Sequence, residues 1–235
     1  MGTGRRARAQ PDKGAEGLDI KGDLGFEHRF EQASNPAAPA LLLLHGTGGN
    51  ENTPLPLGSA IAPGAALLSP RGKILEHGMS SFCRRLEKGV IDQQDLERRT
   101  GELMSFVAAA CETYSLERDR LVMVGFSNGA VLATSLLLRS PETAAGAILI
   151  RGMAPFFPEP MPDLRRKPIL LLCGLDDPIV QTDEAEDLAN IFRGANADLT
   201  MHWEKAGNTL AQGDILMAFD WLRRFYLPQR TSTPQ

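Results

Sequence analysis

Ser127 is the residue of this sequence whose type and surroundings best suit covalent chemistry. It lies at the centre of Gly125-Phe-Ser-Asn-Gly129, the G-x-S-x-G pattern of a nucleophilic serine. The pattern has the context it requires, because an apolar run at residues 121–124 predicts a strand and an apolar helical pattern begins at Asn128. The tight turn leaves no room for a Cβ at either glycine and holds the serine in a strained conformation. We therefore predict a nucleophile rather than a purely structural turn.

A glycine-rich loop, His45-Gly-Thr-Gly-Gly-Asn50, follows the continuous apolar strand predicted at residues 40–44. Such a loop can cradle phosphate, but the P-loop Lys-Ser/Thr pair and the G-x-G-x-x-G pattern are both missing, so a nucleotide site is not expected. The loop is better suited to an oxyanion hole, with one N–H group from Thr47 and a second from Asn128, directly after the nucleophile. His45 is expected to be a structural hydrogen-bonding residue rather than a base.

Two carboxylates follow another predicted strand, at residues 168–173, in the segment Gly174-Leu-Asp-Asp-Pro178. Carboxylates at the end of a sheet strand are well placed to orient an imidazole. Asp177, which precedes a proline, is our candidate for the orienting acid, and Asp176 is expected to be a solvated loop residue.

The rest of the pattern places these loops on an α/β scaffold. Buried strands alternate with amphipathic helices, which predicts a mostly parallel central sheet covered by helices on both faces. We predict further strands at residues 65–69, 145–150 and 198–203, and helices at 102–114, 183–192 and 214–225. An early antiparallel strand is expected at residues 25–31, with His28 on its surface, and residues 71–101 are expected to be the least regular part of the chain.

Composition sets broader bounds on function. With 25 basic and 29 acidic residues the net charge is −4, which gives no support for nucleic-acid binding. No apolar run approaches the roughly 18 residues needed to cross a bilayer, so no membrane association is expected. Cys83, Cys111 and Cys173 are odd in number and widely spaced, which indicates reduced thiols in a cytoplasmic protein and no metal site. We expect one domain at residues 18–227, an N-terminal segment at 1–17 that is disordered or left from an expression vector, and a flexible tail at 228–235.

Together these segments resemble the α/β-hydrolase superfamily, and within it the phospholipase/carboxylesterase branch, which is dienelactone-hydrolase-like and includes predicted hydroquinone-stress hydrolases. The resemblance spans roughly residues 25–225, and it rests on Leu41-Leu-Leu-Leu-His-Gly-Thr-Gly-Gly-Asn50, Ser69-Pro-Arg-Gly-Lys73, Gly125-Phe-Ser-Asn-Gly129, Gly174-Leu-Asp-Asp-Pro-Ile-Val180 and His202-Trp-Glu-Lys-Ala-Gly-Asn208. It implies a serine esterase for small carboxylic esters, with the triad in the order Ser, Asp, His. It implies no metal and no organic cofactor.

The third triad member departs from the family pattern. Where the family implies a histidine directly after a glycine, this chain has Gly207-Asn208. Three of the four histidines precede Ser127, and His202 comes six residues before the expected position. Because an extended chain rises about 3.3 Å per residue, His202 could start ~20 Å from where the base should be. His202 and His77 are therefore the weaker alternatives, and Asn208 occupies the predicted base position.

An asparagine amide has no basic lone pair near neutral pH, so Asn208 can hold the serine hydroxyl but cannot take its proton. The chain is therefore predicted to be a carboxylesterase-type serine hydrolase of impaired activity. The alternative is a non-catalytic protein that binds a small ligand in the same cleft. The predicted partner is a small-molecule ester, and a homodimer is left open.

Overall fold

A computed structural model describes residues 24–87 and 90–227. The segments predicted at residues 1–17 and 228–235 lie outside these described residues, so their expected disorder and flexibility stay predictions. The described chain forms eleven strands and five α-helices, and seven of the strands make one sheet. None of the described helices is both long enough and apolar enough to span a membrane.

The strands of the main sheet are β1 (His28–Glu31), β2 (Ala40–Leu44), β3 (Leu67–Pro70), β8 (Leu121–Phe126), β9 (Gly146–Ile150), β10 (Pro168–Gly174) and β11 (Asp198–Glu204). Two separate hairpins are formed by β4 (Ile74–Glu76) with β5 (Met79–Ser81) and by β6 (Arg85–Glu87) with β7 (Val90–Ile91). The helices are α1 (Leu55–Ile61), α2 (Gln93–Tyr114), α3 (Asn128–Arg139), α4 (Thr182–Gly194) and α5 (Gln212–Tyr226). Short 3-10 helices lie at Arg118–Arg120 and Pro141–Thr143.

The main sheet has the strand order β1-β3-β2-β8-β9-β10-β11, and every pair except β1–β3 is parallel. The carboxyl ends of β2, β8, β9 and β10 therefore meet at one edge, which is where ligands bind in parallel α/β sheets. Side chains alternate between the two faces: Leu42 and Leu44 pack under α2, α3 and α4, whereas Leu41 and Leu43 pack under α1 and α5. The predicted α/β-hydrolase architecture, a mostly parallel sheet covered on both faces, is confirmed.

Helix α2 is longer than the sequence pattern predicts. It begins at Gln93 rather than at residue 102, and Asp92 caps it by accepting a hydrogen bond from the Asp95 N–H at 3.1 Å. The prediction was wrong because the first turns of α2 are mostly charged, so they lack the apolar stripe that marks the rest of the helix. The capping aspartate was the available signal.

His28 was predicted on the surface of the first strand, and this is wrong. Its side chain is buried, with Nδ1 at 2.8 Å from the Phe26 carbonyl and Nε2 at 2.7 Å from the Tyr114 hydroxyl. Its ring also packs edge-on against Phe106 of α2. The edge strand β1 is therefore covered by α2 on one face. The alternation of apolar and polar residues in so short a strand could not reveal this contact.

The turn at residues 125–129, called the elbow below, packs directly on β2. A Cβ at Gly129 would lie 2.6 Å from the His45 carbonyl oxygen and even closer to that of Leu44.

Gly129→Ala is therefore expected to destabilise the protein by about 1–3 kcal/mol, because two backbone oxygens in the sheet cannot move aside easily. Gly101→Ala in α2 is the matched control: no atom lies within 4 Å of its added Cβ, so the gain in helix propensity should stabilise by about 0.5–1 kcal/mol. Urea unfolding should give opposite signs for the two variants, and an unchanged Gly129→Ala protein would contradict this packing.

His45 joins the end of β2 to the segment that follows β3. Its Nε2 accepts a hydrogen bond from the Gly72 N–H at 2.9 Å, which leaves the proton on Nδ1 to be donated to the Gly46 carbonyl at 2.7 Å. The ring is buried against Phe82. Burial lowers the pKa of His45 below its ordinary value, so the imidazole is neutral in the folded protein. This confirms His45 as a structural hydrogen-bonding residue.

The lowered pKa of His45 makes stability depend on pH. Below pH 6.5, the ordinary value for histidine, the unfolded chain binds a proton that the folded protein resists, so the free energy of unfolding should fall as the pH falls. One such group can contribute at most about 1.4 kcal/mol per pH unit. His45→Gln should therefore give a flatter dependence between pH 7.5 and 5.5 in urea unfolding. Parallel curves for parent and variant would contradict the assignment of a neutral imidazole.

Candidate active site

Ser127 lies in the sharp turn between β8 and α3, where its backbone is strained. Its φ of 49° and ψ of −112° fall in a sparsely populated region, at a cost of roughly 1–3 kcal/mol for a residue other than glycine. The neighbouring backbone fixes the turn: the Ser127 N–H donates to the Ile150 carbonyl at 2.8 Å, and a Cβ at Gly125 would lie 2.6 Å from the Ala130 Cα. The serine side chain makes no capping hydrogen bond to α3. The turn therefore presents the hydroxyl without using it as a cap.

Asn128, the first residue of α3, has a structural role that the sequence did not suggest. Its buried side-chain oxygen accepts hydrogen bonds from the N–H groups of Phe82 (2.8 Å) and Cys83 (3.2 Å), and its Nδ2 donates to the Cys83 carbonyl at 3.0 Å. The side chain therefore ties the segment after β5 to the elbow. The backbone N–H remains available, because the first N–H groups of a helix have no intrahelical acceptor.

The thiol of Cys83 lies beside the Asn128 amide and is buried. Burial raises the pKa of Cys83 to about 12, so the sulfur is protonated near neutral pH and is a poor nucleophile. All three cysteines are free and buried. A cysteine nucleophile at the elbow is therefore not supported.

The glycine-rich loop lies directly beyond β2. The Gly48 N–H donates to the Ser80 carbonyl at 2.8 Å, and the Gly49 N–H donates to the Gly46 carbonyl at 3.0 Å. Within residues 24–87 and 90–227, no hydrogen bond of the Thr47 N–H is found. The Thr47 N–H is thus free to meet a ligand.

An ion pair between half-buried Arg71 and buried Glu51 supports this loop. Glu51 accepts two hydrogen bonds from Arg71, at 2.5 Å from Nε and 2.7 Å from Nη2. The Arg71 guanidinium holds the pKa of the Glu51 carboxyl below its usual range. Arg71 belongs to the Ser69–Lys73 sequence motif, and the adjacent Gly72 donates to His45. The motif therefore positions the loop rather than contributing a reactive group.

Asp177 and Asn208 are brought together. Asp177 is buried, its Oδ1 accepts the N–H groups of Ile179 (2.8 Å) and Val180 (3.1 Å), and its Oδ2 accepts a hydrogen bond from Asn208 Nδ2 at 2.8 Å. Asp176 is exposed and contributes only its backbone N–H, to the Ala206 carbonyl. The carboxylate in contact with residue 208 is therefore that of Asp177.

The four histidines have other partners. His202 lies on β11 opposite Leu172, with its Nε2 3.6 Å from a carboxylate oxygen of Glu204. His77 occupies an exposed turn, whereas His28 and His45 are buried in the contacts given above. Within the part of the chain that the structure describes, no imidazole forms a hydrogen bond with Ser127 or Asp177. In the same residues, no cluster of three or more His, Cys, Asp or Glu side chains could hold a metal ion.

Arg151 is a second residue that the sequence did not single out. It follows β9 with a positive φ of 54°, and its guanidinium is buried in an ion pair with Asp214. The available signal was an arginine placed directly after an entirely apolar strand. Its partner lies 63 residues away, so the pairing could not be inferred from local sequence.

Comparisons with known proteins identify the family and the fold of this chain. A family model described as phospholipase/carboxylesterase matches residues 27–208. The Bacillus subtilis (strain 168) protein named "Putative hydrolase MhqD" is 40% identical over 198 residues, which cover 84% of this chain and 98% of that protein. The crystal structure of a Bacillus cereus carboxylesterase is similar with a TM-score of 0.83 and 40% identity, covering 85% of this chain and 94% of that one. A carboxylesterase from Mesorhizobium loti gives a TM-score of 0.81 and 28% identity, covering 85% and 95%.

The family match includes the elbow, the glycine-rich loop, Asp177 and residue 208 within a single continuous stretch. Sequence identity of 40% over nearly the full length of a relative, together with the same fold, leaves one assignment. The chain belongs to the phospholipase/carboxylesterase family of α/β-hydrolases.

Proposed function

We propose that this protein is a serine hydrolase of the carboxylesterase type that acts on small carboxylic esters. Ser127 is the nucleophile, the N–H groups of Thr47 and Asn128 stabilise the oxyanion, and Asp177 orients the side chain at position 208. The observation that carries the proposal is the 2.8 Å hydrogen bond from Asn208 to Asp177. A triad histidine makes the same kind of contact with its orienting acid, which supports the assignment of residue 208 to the base position.

The reaction would follow the acyl-enzyme course. The Ser127 oxygen attacks the ester carbonyl carbon, the carbonyl oxygen becomes an oxyanion, and the alcohol leaves with a proton as the acyl-serine forms. Water then attacks the acyl-serine and releases the acid. The oxyanion is met by backbone N–H groups, whose donors need no reorganisation as the charge develops. A small substrate is favoured because no long lid insertion is evident among residues 24–87 and 90–227.

Asn208 limits this chemistry at the proton transfers. Its Nδ2 donates to Asp177, so its side-chain oxygen is the atom left to accept a hydrogen bond from a hydroxyl. An amide oxygen can orient that hydroxyl but cannot remove its proton or return one to the leaving alcohol. Loss of the triad base leaves a residual acceleration of about 10³–10⁴ over water, which comes from the oxyanion hole and substrate binding.

Asn208→His should restore the missing base. We expect kcat/KM for p-nitrophenyl acetate to rise at least about a thousandfold. The reason is that Asp177 already binds the side chain at position 208, from which an imidazole would accept the proton. Asn208→Gln is the matched control, since it changes the side chain without adding a base and should give no gain. Adding Ser127→Ala to the Asn208→His protein should abolish the gain. Equal rates for the Asn208 protein and the Asn208→His variant would refute the assigned base position.

The amide at position 208 also favours a second function, a non-catalytic protein that binds a small ligand in the same cleft. In this case the fold and the cleft remain and the proton-transfer step is absent. Ser127 would then be a wall of the binding site, and its replacement by alanine would leave ligand affinity nearly unchanged.

Labelling with a fluorophosphonate distinguishes the two functions. A hydrolase site should label at Ser127 with one equivalent of probe, slowly in the Asn208 protein and rapidly in Asn208→His, because covalent attack requires an activated hydroxyl. Mass spectrometry of the intact protein and of the elbow peptide measures the extent and the position. Ser127→Ala is the negative control. No labelling of either Ser127-containing protein over hours would favour the binding function.

A further inference from the structure

Arg151 forms a completely buried ion pair beside the site. Its Nη1 and Nη2 donate to the two carboxylate oxygens of Asp214 at 3.0 and 2.7 Å, and neither side chain is exposed. Asp214 lies in the first turn of α5, where its carboxylate also accepts the Ala211 N–H. The pair therefore joins the end of β9 to the beginning of the last helix.

The remaining donors of Arg151 reach the backbone on both sides of Asn208. Nε donates to the Gly207 carbonyl at 2.9 Å and Nη2 to the Thr209 carbonyl at 3.0 Å, while Nη1 also donates to the Leu172 carbonyl at 3.1 Å. With the two bonds to Asp214, these account for all five N–H groups of the guanidinium. A single rigid, planar group thus holds both neighbours of residue 208.

We propose that Arg151 is the positioning residue of this active site: it fixes the loop so that the side chain at position 208 meets Asp177. The proposal rests on the proposed function, in which residue 208 is the base position. A buried ion pair is often no more stabilising than an apolar pair of the same size, so stability alone is a weak reason for this arrangement. The bonds to Gly207 and Thr209 supply a geometric reason.

The same loop is also fastened to the loop that carries the acid. The Asp176 N–H donates to the Ala206 carbonyl at 3.1 Å. A Cβ at Gly174 would lie 2.5 Å from the Ala206 oxygen and 3.1 Å from Arg151 Nε, so the three segments are in direct contact. Arg151 therefore bonds to the loop of residue 208, and that loop is itself bonded to the loop that carries Asp177.

Lysine cannot replace this arginine. An ammonium group is a point donor with three protons, and it cannot span two carbonyls and a carboxylate in one plane as a guanidinium does. Arg151→Lys keeps the charge and removes the planar fork. Arg151→Met combined with Asp214→Leu removes both charges together, which avoids leaving one of them buried without a partner.

The kinetic test uses Asn208→His as the parent, because it carries a base whose placement can be measured. Adding Arg151→Lys, or the Met/Leu pair, should lower kcat for p-nitrophenyl acetate by about 10- to 100-fold, because small displacements of a catalytic group are costly. KM should change less than roughly threefold, since the substrate-binding loops are untouched. The acidic limb of the pH profile should move to lower pH, because an imidazole that loses its carboxylate has a lower pKa.

Leu103→Ala in the buried face of α2 is the control for lost stability. It should lower the urea midpoint while leaving kcat and the acidic limb of the Asn208→His parent unchanged. Arg151 variants that reproduce only this behaviour, with kcat and the pH profile unmoved, would overturn the proposal.

A crystal structure separates failure of this proposal from failure of the proposed function. It is determined for the Met/Leu pair and for Arg151→Lys in the protein that retains Asn208, where no activity is required. We expect the Asn208–Asp177 hydrogen bond, which is 2.8 Å long with Arg151 and Asp214 in place, to be broken. Retention of this bond and of the backbone at residues 207–209 in both variants would overturn the positioning role, whatever the activity of Asn208→His.

Discussion

The contact between the start of α3 and the end of β2 is the constraint on which the rest of the site depends. Gly129 lies so close to the carbonyl oxygens of Leu44 and His45 that a methyl group would not fit. This approach forces the chain to turn within one residue, which puts Ser127 at a positive φ and aims the N-terminus of α3 at the glycine-rich loop. The expected nucleophile and the expected oxyanion donor at Asn128 are therefore both positioned by this packing contact.

Buried polar groups then hold the loops around that contact. Asn128 ties in the segment after β5, His45 and Arg71 hold the glycine-rich loop, and Arg151 holds the loop that carries Asn208. Loops at the end of a sheet have few apolar contacts of their own, so directional hydrogen bonds from rigid elements are the means of fixing them. Each of these side chains has its buried donors or acceptors matched, which avoids the cost of an unsatisfied polar group.

The contact between Asp177 and Asn208 has the hydrogen bond expected of a triad but lacks a group that can transfer a proton. An asparagine amide and an imidazole can both donate a hydrogen bond to the carboxylate, so the contact with Asp177 does not require a histidine. The difference lies in the other atom of the side chain, which is a basic nitrogen in histidine and an amide oxygen in asparagine. A site can thus keep the hydrogen bond between its acid and the neighbouring side chain while losing most of its capacity for proton transfer.

The sequence by itself determined the elements that depend on local patterns. Strand and helix periodicity predicted the layered α/β fold, glycines and flanking elements marked Ser127, and a strand end marked Asp177. Position 208 was assigned from the family resemblance. Only the tertiary structure decided the roles of residues whose partners are distant in the chain. Arg151 pairs with a residue 63 positions away and the Asn128 side chain with one 45 positions away. Such pairs form because the sheet brings strand ends together, and no local pattern encodes that proximity.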